Sequence, residues 1–343
     1  MSAPPPVTAV IPVHNRADLL ARLFASMRSQ TTPFAQIIVV DNASTDGAAE
    51  LARAEGCRVI SMGENAGFAR AVNRGWQEAE SGWVAVLNSD VELDPRWLAQ
   101  LLGSVGHAAF ATGTIFSASS RGQTPEIIDG TYDLMSRAGC AWRAGHGQPD
   151  PAAREPRIID IAPATACIYR REVLERLGGF DEGFESYLED VDLGLRCVGE
   201  NLHGAWVPQA LAWHQGSATF GRWNARVVRL TSRNQLRLIA RHYDTALFRS
   251  SLRAILAGQL LWGLVALRHG AGLAWLQGKL DGLRGFRPEG RPTSGFRRFL
   301  EASEREIEAR AEGPYWRWYF RLAGSPPQAA PLAPVSGSRD EAV

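Results

Sequence analysis

The stretch FESYLEDVDLGLR, residues 184–196, crowds Glu189, Asp190 and Asp192 into four positions. Carboxylates that close repel one another, and burial makes each charge costlier. Some compensation is needed, and the chemistries on offer are sharing charge with a divalent cation and taking a proton from a substrate. A plainer reading stays open. In a helix beginning near residue 190, Leu188, Val191, Leu195 and Val198 share one face, Asp192 and Arg196 form an i,i+4 pair, and Glu189 and Asp190 lie where the macrodipole favours negative charge. Other polar groups with chemical potential are His14-Asn15, Asp41-Asn42 and Asn88-Ser89-Asp90, each following directly on an apolar run.

Those runs alternate with helical stretches. Val7 to Val13, Ile37 to Val40, Arg58 to Met62 and Trp83 to Leu87 read as strands; Arg16 to Arg28, Gly47 to Glu55 and Phe68 to Glu80 read as helices between them. The alternation implies an α/β fold with a parallel sheet covered on both faces. Ligands of such sheets bind beyond the carboxyl ends of the strands, where the polar groups above converge. A single Asp there is an ordinary turn former or helix cap, whereas several at one edge describe a site.

After a helix from Pro95 to His107 the pattern loosens into glycine-rich segments over 113–156, expected to be a flexible acceptor-side loop or a surface insertion. Ile158 to Ile161 and Thr165 to Tyr169 then read as short strands and Arg171 to Leu177 as a helix; beyond residue 221 the chain is mainly helical, and from Ala323 its composition suits a disordered tail. The 343 residues allow about two domains. A formal net charge of +1 argues against a nucleic-acid partner. The four cysteines form no C-x-x-C pair, and MSAPPPVTAVIPVHNR lacks the form of a secretory signal, so a reducing cytoplasm is the expected location.

VTAVIPVHNR, VVDNASTDG, NAGFARAVNRG, VLNSD, GGFDEGF, YLEDVDLGLR, WHQGS and TSRN occur here in the order seen in family 2 glycosyltransferases with a GT-A fold, and the set most resembles the rhamnosyltransferase-like branch. The resemblance implies a Rossmann-like, mostly parallel sheet divided into a nucleotide-sugar half (1–110) and an acceptor-binding and catalytic half (111–235), then a helical extension (236–322) and a tail (323–343). It implies inverting transfer from a nucleotide diphosphate sugar to a hydroxyl of a saccharide or lipid-linked saccharide, in cell-surface polysaccharide assembly, with Mg2+ or Mn2+ as cofactor.

Residue by residue, the resemblance makes Asp90 the main metal ligand and His214 a second. Asn88, neighbour of Ser89, stands where many relatives have a first aspartate. Asp41 matches the base-binding aspartate, with Pro12, His14 and Asn15 lining the same pocket. Asn65, Gly67, Arg70 and Asn73 lie on the donor side, with Gly67 allowing close backbone approach and Arg70 facing phosphate. Arg233 reaches toward the diphosphate. Asp190 takes the acceptor proton, its pKa depressed by the helix start, and Glu189 holds an acceptor hydroxyl. Arg222-Trp223 lacks a glutamine three positions before the arginine, where Thr219 stands, so the enzyme reads as non-processive.

Rival readings are a sugar nucleotidyltransferase, for which HNRADLL supplies no glycine-rich basic loop, and a non-catalytic nucleotide-sugar binder. The charge-free stretch Ala254 to Leu267 is short for a membrane span of about 20 residues. It is open to two readings, a helix lying on the cytoplasmic face of the membrane, or a core helix or one that forms a homodimer.

Overall fold

The computed structural model describes residues 4–151, 154–216 and 223–324. The expected tail from 325 onward, Ser217 of the WHQGS segment, Thr219 and Arg222 lie outside the described residues.

Strand β1 (Val7–Val13) is buried along its whole length and runs parallel to β2 (Gln36–Asp41) on one side and β4 (Trp83–Leu87) on the other, with β3 (Arg58–Ser61) beyond β2. Its side chains alternate between two cores: Val10 packs with Ile38 and Val84, while Ala9 and Ile11 pack with Val39 and Ala85. A strand apolar on both faces needs helices on both, and α1 (Ala17–Arg28), α2 (Ala48–Ala54) and α3 (Phe68–Trp76) supply them between the strands.

The chain continues through β5 (Val91–Leu93), α4 (Trp97–Ser104), β6 (Phe110–Ser117), β7 (Ile128–Gly130), β8 (Asp133–Met135), β9 (Ala141–Arg143), β10 (Arg157–Ile159) and β11 (Ala166–Arg170). Then come α5 (Arg171–Leu177), α6 (Glu189–Gly199) and the long β12 (Gly204–His214). The sheet order is β10-β12-β6-β11-β4-β1-β2-β3, with β5 joined to β12 and β7 to β6. The sheet is mixed: β11 lies antiparallel to both β4 and β6. Strand β10 is antiparallel to β12 in the same sheet, at its edge.

The segment 113–156 corrects the expectation of a loop or surface insertion. It finishes β6, a central strand, and builds β7, β8 and β9. Gly113 disguised the strand. A Cβ there would lie 1.8 Å from the carbonyl oxygen of Ala210, where β12 bulges between Trp206 and Leu211, so glycine is required in mid-strand.

The C-terminal helices are α7 (Ala225–His242), α8 (Thr245–Arg268), α9 (Gly272–Leu283), α10 (Ser294–Arg310) and α11 (Pro314–Ala323). Helix α7 runs unbroken across residue 235, where a boundary was expected. Helix α9 comes close to it because Gly278 and Gly282 abut the carbonyls of Arg229 and Arg233. The sole lysine, Lys279, is buried there; its ammonium donates to the Ser232 carbonyl at 2.7 Å, to Gln235 Oε1 at 2.9 Å and to Gln259 Oε1 on α8. Burial brings its pKa down to about 7.

Candidate active site

The carboxyl ends of β1 and β2 are tied together. Asp41 Oδ1 accepts from Ser44 N at 2.9 Å, an Asx turn leading toward α2. Asn15, at φ 61°, accepts from Thr45 N at 2.9 Å and donates its own backbone N–H to Ser44 Oγ at 2.8 Å. His14 Nδ1 lies 2.8 Å from the Asn42 carbonyl, which makes it the protonated nitrogen. Pro12 pairs in register with Val40, so Pro12, His14, Asn15 and Asp41 share one corner. Asn42 Nδ2 donates to the Gly67 carbonyl at 3.1 Å, and Asn65 Oδ1 accepts from Gly67 N at 3.3 Å, which joins the loop before α3 to that corner.

The close approach at Gly67 is made to protein. At φ 86°, a Cβ there would lie 2.7 Å from the Glu185 carbonyl oxygen, which also accepts from Ala69 N at 3.0 Å. Asn73 corrects its expected donor contact. It is buried and its amide is occupied: Nδ2 donates to the Phe180 carbonyl at 2.7 Å, and Oδ1 accepts from Phe180 N at 2.9 Å and Trp76 Nε1 at 3.0 Å. It holds the GGFDEGF turn. Arg70 is half-exposed beside Glu64, at 3.4 Å.

At the end of β4, Asn88 donates its backbone N–H to the Thr165 carbonyl at 2.9 Å, and Ser89 leads to Asp90. Strand β5 then pairs Val91 with His214 at the end of β12, a register that sets Asp90 beside the imidazole. His214 Nε2 is 3.3 Å from Asp90 Oδ1, and Nδ1 is 2.8 Å from Asp129 Oδ2 on β7. Burial alone would lower the His214 pKa; the hydrogen bonds to Asp129 and Asp90 outweigh it and raise it to about 9. Among the described residues no cluster of three or more His, Cys, Asp or Glu side chains could hold a metal ion. The Asp90 and His214 pair nonetheless suits Mg2+ or Mn2+, which retain positions for water and phosphate oxygens, and a carboxylate behind the imidazole is the usual support for a metal-binding histidine.

Helix α6 starts from a contorted loop. Glu185, Tyr187 and Leu188 have φ of 61°, 70° and 69°, each costly for a residue with a side chain. Buried Asn234 pins the loop, its Nδ2 lying 2.9, 3.0 and 2.7 Å from the carbonyl oxygens of Phe184, Ser186 and Tyr187. Arg233 reaches this loop too: it pairs with Glu185 and donates to the Phe184 carbonyl at 2.8 Å and the Gly183 carbonyl at 3.2 Å. Its guanidinium is directed there instead of at an open diphosphate position. Replacing Asn234 by Ala frees the loop, and displacing a reacting group by about 1 Å can cost on the order of 100-fold in rate. Asn234→Ala should therefore cut kcat by about 10- to 100-fold with donor affinity nearly unchanged. Turnover measured beside calorimetric donor binding checks this, and an unaltered kcat would refute the clamp.

The crowded carboxylates divide the work. Asp192 is fully buried and paired with Arg196 at 2.8 Å, Arg241 at 3.0 Å and His242 at 2.8 Å; burial would raise its pKa, but these partners lower it. Glu189 is buried, and its Oε2 has no hydrogen-bond partner among the described residues. Burial, with Asp190 adjacent, pushes its pKa well up, which favours the neutral acid. Asp190 accepts from Ala164 N at 3.1 Å and Val191 N at 2.9 Å. The depressed pKa expected from the helix start is corrected: burial and the charge of Asp133 raise it, outweighing Arg143 and the two backbone donors.

Three site residues come from the segment that looked like a loop. Arg143 grips Asp133 through two nitrogens at 3.0 and 3.3 Å, and its charge also reaches Asp129 and Asp190. Asp129, Asp133 and Arg143 thus connect the Asp90–His214 corner with the start of α6. Their trace in the sequence is a pair of carboxylates set in an apolar run, IIDGTYDLM.

Comparison with known proteins bears on the family and the fold. The pattern that defines glycosyl transferase family 2 matches residues 8–178. The chain is 28% identical over 244 residues to the N-acetylglucosaminyl-diphospho-decaprenol L-rhamnosyltransferase of Mycobacterium tuberculosis, covering 63% of this chain and 79% of that one. It is 27% identical over 331 residues to the pre-mycofactocin glycosyltransferase of the same organism, covering 93% of this chain and 64% of that one. Among solved structures, GalNAc-T7 with UDP, GalNAc and Mn2+ is similar at a TM-score of 0.57 and 16% identity, over 75% of this chain and 51% of that one. The shared architecture is the GT-A fold.

Proposed function

The chain belongs to glycosyl transferase family 2, and from that premise we propose that it moves a sugar, with inversion, from a nucleotide diphosphate sugar to a hydroxyl of a saccharide or lipid-linked saccharide. The observation that carries this reading is the Asp90–His214–Asp129 contact, an oxygen and nitrogen donor pair presented at the carboxyl edge of the sheet. Asp90 and His214 would hold the divalent metal. Bound there, the cation would neutralise charge developing on the departing diphosphate.

Asp41, whose Oδ1 serves the turn, offers its other oxygen to an N–H of the base, with Pro12, His14 and Asn15 around it. Asn65, Gly67 and Arg70 border the donor on the α3 side, and Asn88 and Ser89 lie beside Asp90. On the other side of the sugar, Asp190 accepts the acceptor's proton as its oxygen attacks the anomeric carbon, while the bond to the diphosphate breaks and carries its electron pair away. Glu189, as a neutral acid, donates a hydrogen bond to an acceptor hydroxyl. The rhamnosyltransferase relative is named for a diphospho-decaprenol acceptor, and a lipid-linked saccharide destined for cell-surface polysaccharide is the acceptor class proposed here.

A thermal-shift panel of nucleotide diphosphate sugars with Mn2+ or Mg2+ tests the reading. A donor at about 100 times its Kd should add about 2.7 kcal/mol of stability. Chelator, or Asp90→Ala, should remove the metal-dependent part. A donor that stabilises the chain equally with chelator present would count against the metal assignment, and donor consumption without a glycosylated product would count against transfer.

A further inference from the structure

We propose that the outer face of α8, α9 and α11 docks in the plane of an anionic lipid bilayer. Apart from Ile158, the large apolar side chains left strongly exposed in the described residues all lie on these three helices. Leu256, Leu260 and Leu264 follow one another at four-residue spacing on α8 and are 54%, 59% and 62% exposed. Leu276 and Leu280 repeat the spacing on α9, and Trp318 joins them from α11. Contiguous apolar surface of this kind marks an interaction face.

The three helices form one layer. Gly258 of α8 lies against Tyr315 and Tyr319 of α11, and Gly263 lies against the indole of Trp275 on α9. Helix α8 has 24 residues and contains an 18-residue stretch of mean hydropathy 1.4, long and apolar enough by length and composition to cross a membrane. Its opposite face is committed to protein: Gln259 is buried, donates to the Ala138 carbonyl at 2.6 Å and accepts from Lys279. A helix anchored in this way lies on a bilayer with its leucine face down.

Charge selects the occupant. Helix α8 has no acidic residue and is bordered by Arg249, Arg253 and Arg268; α11 has none and carries Arg317 and Arg321. The one carboxylate on α9, Asp281, is paired with Arg229 and Arg284. An apolar face rimmed by arginine matches acyl chains beneath anionic headgroups. A second copy of the chain would set arginine rim against arginine rim. The face also lies one helix from the site, since Gly282 of α9 abuts the carbonyl of Arg233, next to the clamp Asn234. The inference draws on the proposed function only for the lipid-linked acceptor, and its test needs no turnover.

Flotation of the full chain is measured with vesicles of phosphatidylcholine alone and of phosphatidylcholine mixed equally with phosphatidylglycerol. The chain should float with the anionic vesicles, less so as salt is raised. The double substitution Leu260→Gln, Leu264→Gln should weaken binding by about 100-fold while leaving the melting temperature in place. Should that variant fail to fold, Arg317→Gln with Arg321→Gln is the second probe, expected to reduce binding to the anionic vesicles alone. No flotation, or flotation of either folded variant equal to that of the native chain, overturns the proposal. So does a dimer in sedimentation equilibrium that the leucine substitutions dissociate, because a second copy would then cover the face.

Discussion

Asp190→Asn is expected to lower kcat by about 10²- to 10⁴-fold, the usual worth of a positioned general base, while donor affinity stays within about a factor of two. The amide preserves shape, and its oxygen can still accept the Ala164 N–H, while the Val191 N–H loses its carboxylate acceptor. What disappears is a basic oxygen for the acceptor's proton. Glu189→Gln makes the contrast. Burial beside Asp190 favours the neutral form of Glu189, and glutamine mimics a neutral carboxylic acid, so its effect on kcat should be far smaller. The pH dependence has a definite sign. Burial raises the Asp190 pKa above its ordinary 3.8, and the active form is the carboxylate, so native kcat/KM should fall as pH drops through the raised value. The residual rate of Asp190→Asn should lack that limb. Equal turnover in native and Asp190→Asn proteins would remove Asp190 from the reaction.

Asp192→Ala should destabilise the fold by about 3 to 5 kcal/mol, the range for removing one partner of a buried ionic group. Arg196, Arg241 and His242 converge on this one carboxylate, and alanine leaves two guanidinium charges and an imidazole facing a cavity. Its folded pKa is lowered below the ordinary 3.8, so its stabilisation is complete above that value and is lost as pH falls through the lower folded value. Urea unfolding of both proteins at neutral and acid pH measures the difference. A gap that persisted unchanged below the folded pKa would mean that packing, and not charge, holds this position.

The first half of the fold is legible because its strands are β-branched runs buried on both faces and its helices fill the intervals. Val7–Val13 and Trp83–Leu87 could be placed to the residue. The second half hides its strands. Gly113 stands in β6 for the sake of the Ala210 carbonyl, and β7, β8 and β9 have only three residues each, too few for a period to show. The candidate site divides along the same line. Asp41, Asp90, Asp190 and His214 announce themselves by type and position at element ends. Asp129, Asp133 and Arg143 do not, because their partners are distant in sequence. Asn73 and Arg233 show the opposite failure: residue types suited to a ligand, used here on backbone carbonyls.

Asn234 secures the loop before α6 from its place on α7, and α7 is itself braced by α9 through Lys279 and two glycines. The brace is translated after the loop it steadies. Vectorial synthesis thus releases strands β1 to β4 from the ribosome first, and the loop before α6 gains its clamp only when the later helices have followed it out.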